Sequence, residues 1–261
     1  MSRYLASAVV LLVLAAGILG PLTGYDPVAD VHIADANVGP GAAHWLGTDH
    51  LGRDVFMRAL LAARWFVLPG GLACAIAAVV GVPAGAIAGW YGGPFEAAMR
   101  FGFTVIASVP RFVLILLTLS IYGDAPHVLA AAAGLSFVPL LGEAVRARIE
   151  ELRSAEYVLA SLAHGLSPMR ILAYHLVWAG ARHAIARQLF GLFGYFVVLE
   201  TTLSYIGGFG VQQPEPSWGN MLVFGWADDN VLSAWTPVLL LVATVGSIGR
   251  VAEMFAERAD G

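Results

Sequence analysis

The sequence predicts an all-α, polytopic membrane protein with about six transmembrane helices. Three observations carry this. Of 261 residues, 59% are hydrophobic and 12% charged, against about 45–50% and about 25% in soluble domains. Uncharged runs from Tyr4 to Tyr25, Trp65 to Phe95 and Val231 to Gly249 each approach or exceed the roughly 20 residues that cross a bilayer core. The remaining charge gathers in three polar stretches, 26–64, 146–182 and 207–230. The 30 Gly and 13 Pro do not indicate disorder, because most lie within apolar runs, where small residues permit close helix packing and neighbours tolerate breaks.

Six helices are expected in order. The first, Tyr4 to Leu22, follows Arg3; it is long for the apolar core of a signal peptide and has a single basic residue ahead of it, so it is read as a retained span. The second runs from Trp65 to Trp90 and contains the one cysteine, Cys74, in an apolar setting that makes it an inert small hydrophobe. The third, Met99 to Tyr122, carries Pro110 and Arg111 and is expected to kink there. The fourth covers Ala125 to Val145, the fifth Ile185 to Ile206 with Glu200 in its outer half, and the sixth Val231 to Ala252. Arg3, Arg100, Arg146, Arg148, Arg153, Arg170, Arg182, Arg187, Arg250 and Arg258 fall on one side, against Arg53, Arg58 and Arg64 on the other. The excess of basic residues marks the cytoplasmic side, which places both termini inside. Along the chain this gives two parts: residues 1–64, the first span with an extracytoplasmic segment, and residues 65–261, a five-helix core with a cytoplasmic loop at 146–182.

That loop holds the densest charge. Good helix formers from Arg146 to His164 predict one amphipathic helix; Gly165, Ser167 and Pro168 supply a stop and a new start, and a second short helix is expected from Pro168 to Trp178. An interfacial helix whose Arg side chains meet anionic headgroups is one reading. The small residues Ala160, Ser161, Ala163 and Gly165 support another, a backbone surface open to close approach by a protein.

With Leu46-Gly47-Thr48-Asp49, Ala88-Gly89-Trp90-Tyr91-Gly92-Gly93, Glu156-Tyr157-Val158-Leu159-Ala160-Ser161 and Pro214 to Leu222 in this order, the chain from Leu46 onward resembles a known family, the permease subunits of ATP-binding-cassette (ABC) importers, in the C-type branch for dipeptides, oligopeptides and nickel. Glu156-Tyr157-Val158-Leu159-Ala160-Ser161, then Gly165 and Ile171, is similar to that family's coupling loop. Leu46-Gly47-Thr48-Asp49 with Leu51-Gly52-Arg53-Asp54-Val55 resembles its extracytoplasmic signature. Ala88-Gly89-Trp90-Tyr91-Gly92-Gly93 ahead of Met99-Arg100 matches a loop between spans, and Glu200, Leu203 to Gly207 and Pro214 to Leu222 match the region around and after the fifth span. The chain departs from the pattern at Leu176-Val177-Trp178, where the family usually has Ile-Leu-Pro, and at Ser161 and Leu162, where it has Ala and Arg.

The resemblance implies an ABC importer type I permease fold and a subunit that forms half of a path for peptides or a similar small solute such as nickel. It implies partners: a second, B-type permease, two ATP-binding subunits carrying ATP and Mg, an extracytoplasmic solute-binding protein and membrane lipid. Glu156, Tyr157, Ala160, Ser161, Gly165, Arg170 and Ile171 would be the ATPase-coupling loop. Gly47, Thr48, Asp49, Gly52, Arg53, Asp54, Ser217, Trp218 and Gly219 would be extracytoplasmic partner contacts. The bland readings are a surface turn in which Arg53 pairs with a carboxylate, contributing little, and an interfacial aromatic anchor at Trp218.

The residues themselves limit the chemistry. All 14 basic residues are Arg, so the Lys of a phosphate-binding loop is missing and ATP has to be handled by another chain. Histidines are scattered rather than spaced i, i+4, which argues against a metal site. A net charge of −4 does not suit nucleic acid. Ser136 and Ser204 lack the context of an intramembrane protease, and carboxylates at mid-depth are too few for an ion-coupled secondary carrier. Ionisable residues inside spans are functional suspects, and here they are Arg111 and Glu200, read either as packing groups or as lining of the translocation path.

Overall fold

The computed structural model describes residues 2–257; Arg258 lies outside the described residues. Among these, five helices are long and apolar enough to cross a membrane, and a bent pair makes a sixth span. Helix α1, Arg3–Leu19, is opened by the Ser2 side chain, which accepts from the Leu5 amide, and runs out through a 3-10 turn at Gly20–Thr23. Helices α2, Val55–Ala62, and α3, Arg64–Tyr91, follow one another with only Ala63 between them. Together they pass as one candidate span, so the second span begins about ten residues ahead of the expected Trp65.

The third span is broken. Helix α4, Gly93–Ala107, and helix α5, Arg111–Tyr122, meet at 75° across Ser108-Val109-Pro110. Proline restricts the preceding residue and cannot donate to the helix, which accounts for the break. Arg111 is therefore the first residue of a half-helix rather than the midpoint of a straight one. Helix α6, Pro126–Leu152, continues beyond the expected end at Val145. Its last turns hold Glu143, Arg146 and Glu150, whose i, i+3 and i, i+4 pairs let the helix continue out of its apolar part.

The expected helix from Arg146 to His164 is thus two: the end of α6, and a separate helix α7, Glu156–Ala163. After a corner, α8, Pro168–Arg170, leads into a π-helical stretch, Ile171–Ala181, and on to α9, Arg182–Ile206. The short second helix expected from Pro168 to Trp178 is the start of a 39-residue helical run. Trp178 keeps the backbone N–H that a proline would remove, so nothing interrupts the run there. Helices α10, Trp218–Ala227, and α11, Val231–Glu257, are the last among the described residues.

Two compact units can be described. One takes residues 2–71, 124–126 and 194–250, the other 72–123, 127–193 and 251–257, so the units interleave in sequence. In the first unit α1 lies against α3 through Gly17, where an added Cβ would come within 2.6 Å of Val67. In the second, Gly81, Gly85 and Gly89 form a stripe at four-residue spacing that faces Val138, Gly142 and Arg146 of α6, and Gly134 answers against Ala73. With no hydrophobic effect to drive helices together in lipid, such backbone contact is a main source of association.

Candidate functional site

The corner between α6 and α9 is built by local chemistry. Glu156 opens α7, where its carboxylate favours the helix N-terminus. At the other end Gly165 has φ +80°, and its amide donates to Leu162 O at 2.9 Å while the Leu166 amide donates to Ser161 O at 3.2 Å. These two bonds are a Schellman cap, which needs a left-handed residue at the position Gly165 holds. Ser167 then accepts from the Arg170 amide and Pro168 occupies the first helical position. Val158 and Ile171 are fully buried, one on each side of the corner.

What remains outside is a compact knob. Glu156, Tyr157, Ala160, Gly165 and Arg170 are exposed and Ser161 is half-exposed, its hydroxyl donating to Tyr157 O at 2.7 Å. Leu159 and Met169 add exposed apolar surface beside them. Ile171 differs from the other residues expected in this loop, because it belongs to the core that holds the knob.

The knob is rooted in the helices behind it. Arg146 takes Glu143 through two bonds at 3.0 and 2.7 Å, Glu150 at 2.6 Å and Glu96 of α4 at 2.8 Å. Arg153 donates to the carbonyl of Gly89 at the end of α3 at 3.2 Å, and Arg148 to Gly180 O in the π-helical stretch at 3.3 Å. The sequence reading did not single out Arg146, Arg153 or the Gly81/Gly85/Gly89 stripe. The spacings Glu143-Arg146-Glu150 and Gly-x-x-x-Gly-x-x-x-Gly were the signals available.

The residues expected to face partners through the 26–64 and 207–230 stretches are turned inward. Asp49 and Arg53 are almost wholly buried, 4% and 1% exposed, so their pair is no surface turn. Asp49 accepts from Arg53 Nε at 2.8 Å, lies 3.4 Å from Arg58 Nε, and also accepts the amides of Leu51 and Arg53. Thr48 donates to the Asp35 carbonyl and accepts from the Val38 amide at 2.9 Å. Gly47 and Gly52 have φ of +74° and +73°, and a Cβ on Gly52 would fall on the His32 carbonyl. Asp54 caps α2 through the Met57 amide at 2.8 Å and meets His44 at 2.8 Å.

Ser217 and Asn220 form a capping box for α10. Trp218 is an interior residue rather than an interfacial anchor: its indole donates to Ala59 O at 3.0 Å and its ring lies 4.6 Å from that of Phe66. Gly219 passes directly against the Thr201 carbonyl. Nearby, Arg64 pairs with Glu215, and burial pushes the Tyr25 phenol up to about 12, the positive charge of Arg58 opposing part of that rise.

The two ionisable residues of the spans have separate partners. Arg111 lies over the Phe137 ring at 4.4 Å. Glu200 is buried and accepts from Ser204 Oγ at 2.7 Å, and that hydroxyl accepts in turn from the Val211 amide at 2.8 Å. Glu200 thereby ties α9 to the segment that follows it. Among the described residues no three of His, Cys, Asp and Glu gather as a metal site.

An all-α set of membrane-length helices, with a capped and exposed corner between α6 and α9, is the architecture of a polytopic membrane protein. Residues 81–260 match the family described as binding-protein-dependent transport system inner membrane component, and the chain belongs to that family. It is a permease subunit of an ABC importer, a transporter component rather than an enzyme. The chain is 31% identical over 205 residues to the dipeptide transport system permease protein DppC of Alkalihalophilus pseudofirmus, covering 78% of this chain and 67% of that protein. It is 30% identical to DppC of Bacillus subtilis, over 82% of this chain and 66% of that one. It is 29% identical to the nickel transport system permease protein NikC of Escherichia coli, over 90% of this chain and 85% of that one. The chain thus spans about two thirds of the length of its dipeptide relatives.

Proposed function

We propose that the chain forms half of the translocation path of an importer for small peptides, and that the α7 knob is where ATP-driven motion enters it. The observation that carries this reading is the knob itself. Its backbone is fixed by the Schellman cap at Gly165 and the Ser167 cap that follows it, its outer face is exposed, and the chain leading into it is tied to α3 through Arg153, while Arg146 and Glu96 join α6 to α4 behind it. A rigid knob moved from outside would carry those helices with it, in the manner of rigid-body switching.

ATP and Mg act on two partner ATPase subunits. A second permease, related or identical, supplies the other half of the path, and a solute-binding protein delivers cargo from outside. The loop lies on the cytoplasmic side, as do both termini, in the cell membrane of a bacterium or archaeon. The peptide assignment follows the dipeptide permeases among the relatives, with a nickel complex as the second reading favoured by NikC. The inward packing of Asp49, Arg53 and Trp218 supports a structural role for these residues, leaving binding-protein contact to the surfaces they hold in place.

The test is recovery of partners. Wild-type chain purified in mild detergent brings ATPase subunits with it and supports uptake. Gly165→Asp reaches the membrane in normal amount but loses both. Normal uptake in that variant would sink the coupling role of the corner.

A further inference from the structure

The broken third span borders an open recess of about 370 Å³ whose walls include Arg100, Phe103 and Thr104 of α4, Arg111 of α5, and Ser136 and Glu143 of α6. Its volume lies within the roughly 300–1,000 Å³ typical of small-molecule sites. The surrounding face of α4 and α5 is apolar and exposed, with Phe101, Val105, Val113 and Leu117 outward, so the cavity is a charged recess in a face suited to lipid or to another apolar helix.

Its charges are unequal. Glu143 is held through two bonds by Arg146 and also feels the positive charge of Arg100, while among the described residues no carboxylate lies within ion-pair distance of Arg100 or Arg111. Arg111 has its guanidinium face on Phe137, which leaves the N–H edge for another acceptor. It is also the first residue of α5, where the free amides add positive potential to the same wall. The hydroxyls of Thr104 and Ser136 donate to backbone carbonyls of their own helices, at 2.8 and 2.7 Å, so the guanidiniums are the donors that face the cavity. A guanidinium at membrane depth is costly and marks a pathway or a ligand.

Resting on the peptide reading above, we propose that this recess binds the carboxylate of a solute in transit, with Arg111 as the primary contact and Arg100 as the second. The bend supplies the space, since a straight third span would bring α4 and α5 into line and remove the angle that α6 closes.

The test uses the complete transporter in vesicles of phosphatidylcholine, with and without phosphatidylglycerol, and compares uptake of dialanine with uptake of dialanine amide. The binding protein's own preference is common to all permease variants, so the acid-to-amide ratio of kcat/KM, variant against wild type, reports the permease. Arg111→Gln lowers that ratio about tenfold in both lipids, as expected for one lost charge-assisted hydrogen bond, and Arg111→Lys keeps most of it. Arg100→Gln gives a smaller drop and serves where Arg111→Gln lowers yield. An unchanged ratio in both Gln variants overturns the proposal. So does a loss confined to phosphatidylglycerol vesicles, which assigns the recess to a lipid phosphate. Wild-type vesicles that take up neither compound refute the peptide reading instead. The recess is then read by calorimetry of N-acetylalanine against its amide on the nucleotide-free complex in phosphatidylcholine nanodiscs. Acid-specific heat lost in Arg111→Gln supports the site, and its absence from wild type overturns it.

Discussion

The α7 corner and the segment around Asp49 look alike in sequence: both mix glycine, small residues and charge. In space they are opposites. Gly165 stands in open surroundings, where an added Cβ would meet nothing within 4 Å, and its only constraint is φ of +80°. Gly52 shares the left-handed backbone and in addition lies against the His32 carbonyl. Asp49 and Arg53 are spent on each other inside the fold, whereas Glu156 and Arg170 are exposed. On the proposed reading one motif serves an outside partner and the other serves the segment itself, and substitutions separate the two cases.

The largest effect is expected at Asp49. Asp49→Ala strips the carboxylate from two buried guanidiniums, Arg53 and Arg58, and removing one partner from a buried ion pair costs about 3–5 kcal/mol. Folded yield and thermal midpoint in detergent should fall together, and any loss of uptake should track the loss of protein. A normal midpoint with uptake lost would place Asp49 among contacts to a partner and erase the contrast.

Arg146→Ala comes next. Arg146 is 10% exposed at its side chain and is bonded to three carboxylates, so its loss should cost about 2 kcal/mol, the scale of a hydrogen bond to a charged group. It should also uncouple the knob from α4. The expected signature is mixed: a moderate drop in thermal midpoint, with transport lowered further than the residual folded protein explains. ATPase subunits should still co-purify, because the outer face of the knob is unchanged.

Gly165→Ala should lower stability by only about 1–2 kcal/mol, the cost of a left-handed backbone for a residue with Cβ, because no atom crowds the position. Its transport defect should exceed its stability defect, the reverse of Asp49→Ala. Equal defects in the two variants would mean that the corner is one more packing element.

The spans were legible because bilayer thickness demands long uncharged runs, and Pro110 announced the break in the third. The extension of α6 to Leu152 was hidden by its own charges, which read as departure from the membrane until Arg146 is seen to neutralise its neighbours across helical turns. The corner at Gly165 was legible because a Schellman cap is local, complete within Ser161 to Leu166. The inward turn of the Asp49 segment was not: the Asp49–Arg53 pair is local, but what covers it is distant, Asn230 donating to the Thr48 carbonyl across 182 positions and the indole of Trp218 reaching Ala59 across 159. Local rules expose turns and caps, while burial of a polar motif depends on what the rest of the chain brings to it.

The smallest effect concerns Tyr25, at the edge of the buried group. Its phenol is pushed up to about 12 because burial disfavours the phenolate, against an ordinary value of 10.0. A raised folded value means that the folded protein holds this proton more tightly than the unfolded chain does. The associated stability is therefore fully present below pH 10 and is lost as pH climbs through about 12. Tyr25→Phe has no proton to lose, and the native hydroxyl has no hydrogen-bond partner among the described residues. The variant should match wild type at neutral pH and resist alkaline unfolding better between those two values. An equal alkaline decline in both proteins would mean that the phenol is hydrated in the folded state, and that the buried group around Asp49 ends before it reaches Tyr25.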